Sequence, residues 1–105
     1  MNETQKITTD YEGKKCIIRC YRSGVFFAEL GWLAGQTAKL LKCRNIFSWS
    51  GAASCLQLAL EGSKLPQECR LTVEVSSLIV TDVAEIIPCT DEAITILNSI
   101  EPWKA

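Results

Sequence analysis

From Lys15 to Leu33 the chain alternates in the pattern of a strand pair. Cys16, Ile18 and Cys20 fall on one side of a period of two, and Ile17, Arg19 and Tyr21 on the other. That period predicts a strand over Lys15 to Arg22. Ser23-Gly24 supplies a turn, and the apolar run Val25 to Leu33 reads as the returning strand of a β-hairpin. Phe26 and Phe27 are neighbours in that second strand. Successive side chains of a strand point to opposite faces, so both faces of this sheet need a cover. A helix or a second subunit meets that need, and on this ground a homo-oligomer is expected. Gly31 inside the strand predicts a bulge or a close backbone approach.

Gly35 gives the next turn, and Gln36 to Cys43 reads as a third strand. Ser50 is then placed to cap a helix running from about Gly51 to Glu61. Leu56, Ala59 and Leu60 form its expected buried face, extended by Ala52 and Cys55. Gly62 fits the left-handed position that ends a helix. Cys69 to Val75 alternates again, with Leu71, Val73 and Val75 on one face. Ser76-Ser77 interrupts it, and Leu78 to Ile87 is a further strand ended by Pro88. Thr90 is the expected cap of a second helix, with Asp91 and Glu92 suited to the positive end of its dipole. Ala93, Ile94 and Leu97 are placed to dock on the sheet. Pro102 is expected to end the helix, and Trp103 to pack back on the core. The polar segment 1–14 reads as a loose N-terminal arm with a short strand around Thr8 to Tyr11. Residues 15–105 read as a single α+β domain: a mostly antiparallel sheet of about five strands, with one inserted helix and one C-terminal helix.

The chain of 105 residues contains no histidine. That removes Ser-His-Asp and Cys-His catalysis, His metal sites and the usual general base near neutral pH. No enzymatic activity and no cofactor are expected. The net charge of -1 argues against strong nucleic-acid binding, which normally shows a basic excess. Six cysteines are present, but Cys16 and Cys20 are four apart and no Cys-x-x-Cys occurs, so zinc is not expected. The polar start lacks the apolar stretch of a secretory signal. A cytoplasmic protein with reduced, buried thiols is the expectation. No apolar run approaches the length needed to span a membrane.

Three stretches carry a resemblance. They are Trp49-Ser50-Gly51-Ala52-Ala53-Ser54 with Gln57-Leu58-Ala59 and Glu61-Gly62, then Ala84-Glu85-Ile86-Ile87-Pro88-Cys89-Thr90, then Trp103-Lys104. In this order the chain resembles a group of short uncharacterised proteins of phages and prophages, over roughly Lys15 to Lys104. The resemblance implies a shared fold, a phage setting and hence a host-cell cytoplasm. It supplies no mechanism.

The Trp49-Ser50-Gly51-Ala52 corner is the sharpest candidate site. A helix start offers free backbone N–H groups to an anion, Gly51 and Ala52 allow close approach, and Trp49 offers a face for stacking. Arg44 upstream suits a phosphate through its planar fork, and Arg19 and Tyr21 share one strand face. The bland alternative is that Ser50 caps, Gly51 turns and Trp49 fills core. Together these residues predict a non-catalytic binder of a small anionic, nucleotide-derived ligand, in one version sequestering a host immune messenger. The alternative is a protein-interaction module that docks on, or inhibits, a host or phage protein.

Overall fold

The structure is a computed structural model that describes residues 6–7 and 10–105. Its strands are β1 (Lys6–Ile7), β2 (Lys15–Cys20), β3 (Val25–Ala34), β4 (Thr37–Ser48), β5 (Arg70–Leu71), β6 (Val75–Val80) and β7 (Val83–Pro88). The helices are α1 (Cys55–Glu61), inserted after β4, and α2 (Asp91–Asn98), with a single 3-10 turn at Pro66–Glu68. All strand pairs are antiparallel, in the order β5-β4-β3-β2-β7, with β6 also beside β4 and β1 beside β3. The fold is therefore α+β, with five longer strands and two of two residues each.

The expected hairpin is present as β2 and β3, with Ile17 opposite Phe27 and Ile18 opposite Phe26. Its turn is held from outside the hairpin. The Asp82 carboxylate accepts hydrogen bonds from Arg22 N at 2.6 Å, Ser23 N at 2.8 Å and Ser23 Oγ at 2.6 Å.

Phe26 and Phe27 leave β3 on opposite faces, and both are buried. Phe27 joins Ile17, Ile46, Leu58, Ala59, Leu71 and Leu97 in a core between the sheet and the two helices. Phe26 lies in a second core with Ile18, Leu30, Leu40, Val80 and Val83, to which no helical residue contributes. The sheet covers that face by curling. Register shifts in the β3–β4 ladder fall between Phe27 and Glu29 and between Leu30 and Trp32, and such bulges bend and twist a strand pair. Lys42, at φ 49, and the expected irregular site Gly31 sit at these two places. A Cβ on Gly31 would lie 3.0 Å from Lys39 O. The curl brings β7 up to the β3–β4 turn, where Val83 N donates to Gln36 O at 2.9 Å. Both aromatic faces are thus dry within one chain, and burial of Phe26 and Phe27 needs no second subunit.

Several boundaries differ from the sequence expectation. The third strand runs on to Ser48. Arg70 to Val80 follows one edge of β4 in nearly constant register, from Ser48 opposite Arg70 to Ala38 opposite Val80. The break falls at residues 72–74, not at Ser76-Ser77. Thr72 there turns its polar groups onto Asn45, with Thr72 N donating to Asn45 O and Asn45 N to Thr72 Oγ1. The expected strand from Leu78 to Ile87 is cut at Thr81-Asp82, where Asp82 leaves β4 to hold the hairpin turn. Of the N-terminal arm, Lys6–Ile7 pairs with β3 and Gly13 N donates to Leu30 O. Part of the strand expected around Thr8 to Tyr11 lies outside the described residues.

Helix α1 starts later than expected. Ser54, not Ser50, is the cap: its Oγ accepts from Gln57 N at 3.2 Å, while Gln57 Oε1 accepts from Ala53 N at 2.7 Å. This reciprocal Ser-x-x-Gln pair satisfies two free amides, which Ser50 with Ala53 three residues on does not offer. The later start also turns the helix. Leu58 and Ala59 are buried, while Leu56 and Leu60 are 63% and 58% exposed. Gly62 ends the helix with φ 72, and a Cβ there would press on Ile96 at 3.0 Å. Thr90 caps α2, accepting from Ala93 N at 3.1 Å and donating to Leu60 O at 2.7 Å, so one hydroxyl also ties the helices together.

Gly51 and Gly35 make a controlled pair. Both have positive φ, of 79° and 58°. A Cβ on Gly51 would meet Leu65 N at 2.5 Å, Ser63 Oγ at 2.8 Å and Lys64 N at 2.9 Å, whereas nothing lies within 4 Å of one on Gly35. Gly35→Ala should cost about 1 kcal/mol, the left-handed penalty alone. Gly51→Ala should cost about 3 kcal/mol, because it adds a backbone collision. Thermal unfolding of the two variants checks this, and equal losses would refute it.

Candidate functional site

The seven residues singled out in the sequence fall into three settings. Arg19, on β2, pairs with Glu85 of β7 through Nε–Oε1 at 2.6 Å, with both side chains nearly half exposed. Tyr21 is exposed beside it, and Cys55 at the start of α1 lies within electrostatic reach of Arg19. Arg44 stands two strands away, roughly 10 Å across the sheet.

Arg44 is 6% exposed. Its Nε donates to Thr72 O at 2.9 Å, one terminal nitrogen to Leu97 O at 3.3 Å and the other to Leu71 O at 3.5 Å. The fork therefore joins β4 to the β5–β6 break and to the C-terminal end of α2, where helix carbonyls favour a cation. Burial lowers its pKa, while the nearby charges of Glu74 and Glu101 act in the opposite sense.

The Trp49–Ala52 corner closes on itself. Trp49 Nε1 donates to Ala52 O at 3.2 Å, Ser63 Oγ donates to Ser50 O, and Lys64 N donates to Gly51 O at 3.0 Å. Trp49 and Ala52 pack against the helix-side core. The structure thus gathers Arg19 and Tyr21 near the start of α1, gives the corner internal partners, and seats Arg44 among backbone carbonyls.

A different group is more accessible. Phe47 on β4 stacks on Trp103, with ring centroids 4.7 Å apart and planes at 27°. Both rings stay exposed, at 60% and 45%. The Arg70 guanidinium lies 5.3 Å over the Trp103 ring, a distance at which a cation is attracted by the indole face. Trp103 reaches this place because the C-terminal segment lies along the outside of β5. Leu71 bridges to Pro102 in parallel, and Trp103 N donates to Leu71 O at 2.8 Å. A depression of about 300 Å³ opens beside it, lined by Thr72, Trp103, Lys104 and Ala105. The alternation of buried Ile46 with exposed Phe47 held this signal in the sequence, once the third strand is carried to Ser48. Trp103 is not packed back on the core as the sequence suggested.

Among the described residues no group of three or more acidic or thiol side chains is placed to hold a metal. No helix of the described residues is long and apolar enough to cross a membrane. The six cysteines are free. Burial pushes the thiols of Cys16 and Cys20 up to about 11, and those of Cys43 and Cys89 up to about 12. They are protonated near neutral pH and make poor nucleophiles.

A family model for a domain of unknown function, DUF6948, matches residues 13–97. The chain belongs to this family. No curated protein and no solved structure matches it. The match to the DUF6948 domain runs from just before β2 through most of α2, so it takes in both cores and stops short of the Trp103 segment.

The thiols of this DUF6948 domain give a test of the burial argument. At pH 8 a thiol of pKa about 11 is thiolate roughly 100-fold less often than one at the ordinary value near 9. Mapped alkylation by mass spectrometry should therefore show Cys16 and Cys43 reacting at least about 100-fold more slowly in the native chain than in denaturant. Equal rates would mean that these sites are open.

Proposed function

We propose that this domain is a non-catalytic interaction module that docks on a protein partner through the Phe47, Trp103 and Arg70 patch. The observation that carries this reading is the exposure of the Phe47–Trp103 stack under a guanidinium. Large exposed aromatics rimmed by arginine are the side chains that most often dominate protein interfaces. The depression lined by Thr72, Trp103, Lys104 and Ala105 continues this surface beyond a single exposed residue. Turnover has no support in a chain without histidine and with raised thiol pKa values. The resemblance of the Trp49–Ser54 and Ala84–Thr90 stretches to phage and prophage proteins supports a phage setting, with a host or phage protein in the host cytoplasm as the partner.

A small anionic, nucleotide-derived ligand is the second reading. Its support is Arg19 and Tyr21, side by side and exposed near the start of α1. Arg44 adds little to it, since that fork is bound to carbonyls.

A photo-reactive phenylalanine analogue placed at position 47 should crosslink one discrete partner in host cells, and the same analogue at position 21 should not. Trp103→Ala should weaken that complex about 30-fold, equivalent to about 2 kcal/mol, with the fold intact by circular dichroism. Crosslinking from position 21 alone, together with a melting-temperature rise of several degrees on adding a nucleotide or cyclic oligonucleotide, would transfer the function to the second reading.

A further inference from the structure

Three of the sheet's outer margins lie on β5, β6 and β7, and the chain treats them differently. The margin of β5 is covered by its own C-terminal segment at Pro102 and Trp103. The margin of β7 carries Glu85, ion-paired with Arg19, and ends in Pro88. Charge and proline are devices that keep an edge from pairing with another strand. The margin of β6 has neither. Val75–Val80 reads Val-Ser-Ser-Leu-Ile-Val, without charge or proline. It pairs only with β4, and among the described residues no other backbone bond reaches it. On such an edge alternate residues point N–H and C=O outward, about three of each over six residues. Val75 and Ile79 are exposed on one face of this strand, with Ser77 between them.

We infer that the open edge of β6 takes an extended segment of a partner protein as an added strand. This rests on the interaction-module reading and names the second contact of the same partner. At the neighbouring margin an extended segment already lies along β5, fixed by a backbone bond and an aromatic anchor. Arg70 to Val80 forms one line along β4, so a segment on β6 continues the line that Pro102 and Trp103 begin. A second copy of this chain fits less well. The strand edge is about 20 Å long and one sheet thick, or about 200 Å² per side, against roughly 800 Å² per partner in stable complexes. Glu74 is exposed at one end, with Lys15 and Arg44 within electrostatic reach but no ion pair closer than that among the described residues, so a basic residue there competes with those two for its charge. The segment that fits has apolar residues at alternate positions and a Lys or Arg at the Glu74 end.

The test pans the full chain against displayed random twelve-residue peptides. Enriched peptides should share the alternating apolar pattern with one basic end. Adding such a peptide should slow hydrogen exchange at the outward amides of Val75–Val80 at least tenfold. Ile79→Lys, at an exposed position, should weaken binding at least tenfold, while Leu56→Ala, at an exposed position on α1, leaves the short peptide's affinity unchanged. Peptides that protect the Phe47–Trp103 surface and not β6 would overturn the edge inference and leave the module reading intact. Absence of any enriched peptide, with crosslinking at position 47 still obtained, would do the same. Loss of both would remove the two together. Concentration-dependent dimerisation abolished by Ile79→Lys would overturn the inference by giving the edge to a second copy.

Discussion

Two aromatic side chains in succession on β3 set the problem that the rest of this chain solves. Phe26 and Phe27 must leave the strand on opposite faces, so the sheet needs two dry sides. One side is covered in the familiar way, by α1 and α2 over Ile17, Phe27, Ile46 and Leu71. The other has no helix. It is dried by curvature, which comes from two irregular points in the β3–β4 ladder and from a corner where Val83 meets Gln36. Small side chains suit the inside of such a curl. Cys16, Cys20, Cys43, Ala28 and Ala38 line it beside the larger Phe26, Leu30 and Leu40. Three of the six cysteines, Cys16, Cys20 and Cys43, thus serve here as small apolar fillers.

The second constraint is the buried guanidinium of Arg44. A cation with so little exposure needs donors satisfied on all sides, and here the partners are backbone carbonyls of Thr72, Leu71 and Leu97. These carbonyls are available because β5 and β6 part at residues 72–74 and because α2 ends nearby. One side chain thus joins the sheet, the strand break and the helix end. The same junction sets the course of the C-terminal segment along β5, and so the place of Trp103 beside Phe47. The accessible patch is a downstream product of an internal polar knot.

Much of this was legible from local pattern. The hairpin, the Gly31 irregularity, the Thr90 cap and the Gly62 helix end each rest on a few neighbouring residues whose chemistry acts within one turn or one ladder step. The start of α1 is legible too, through the Ser-x-x-Gln pair at Ser54 and Gln57, which Ser50 lacks. The fate of Arg44 was not readable in this way. Its partners lie 27 to 53 residues further along the chain, and no local rule separates an arginine aimed at a ligand from one aimed at distant carbonyls. The break at residues 72–74 and the stack of Phe47 on Trp103 likewise join residues far apart in the chain.

The link between β6 and β7 has a consequence for how the chain reaches this state. Only Thr81 and Asp82 separate two strands that pair with β4 and β2 respectively. The meander of β2, β3 and β4 is local in sequence, whereas neither outer strand can settle without dragging the other into place. Closing long loops before any contact repays them is the slow part of folding. The order implied is a meander formed early and a late, concerted docking of the run from Arg70 to Pro88, with Asp82 landing on the hairpin turn as its final clasp.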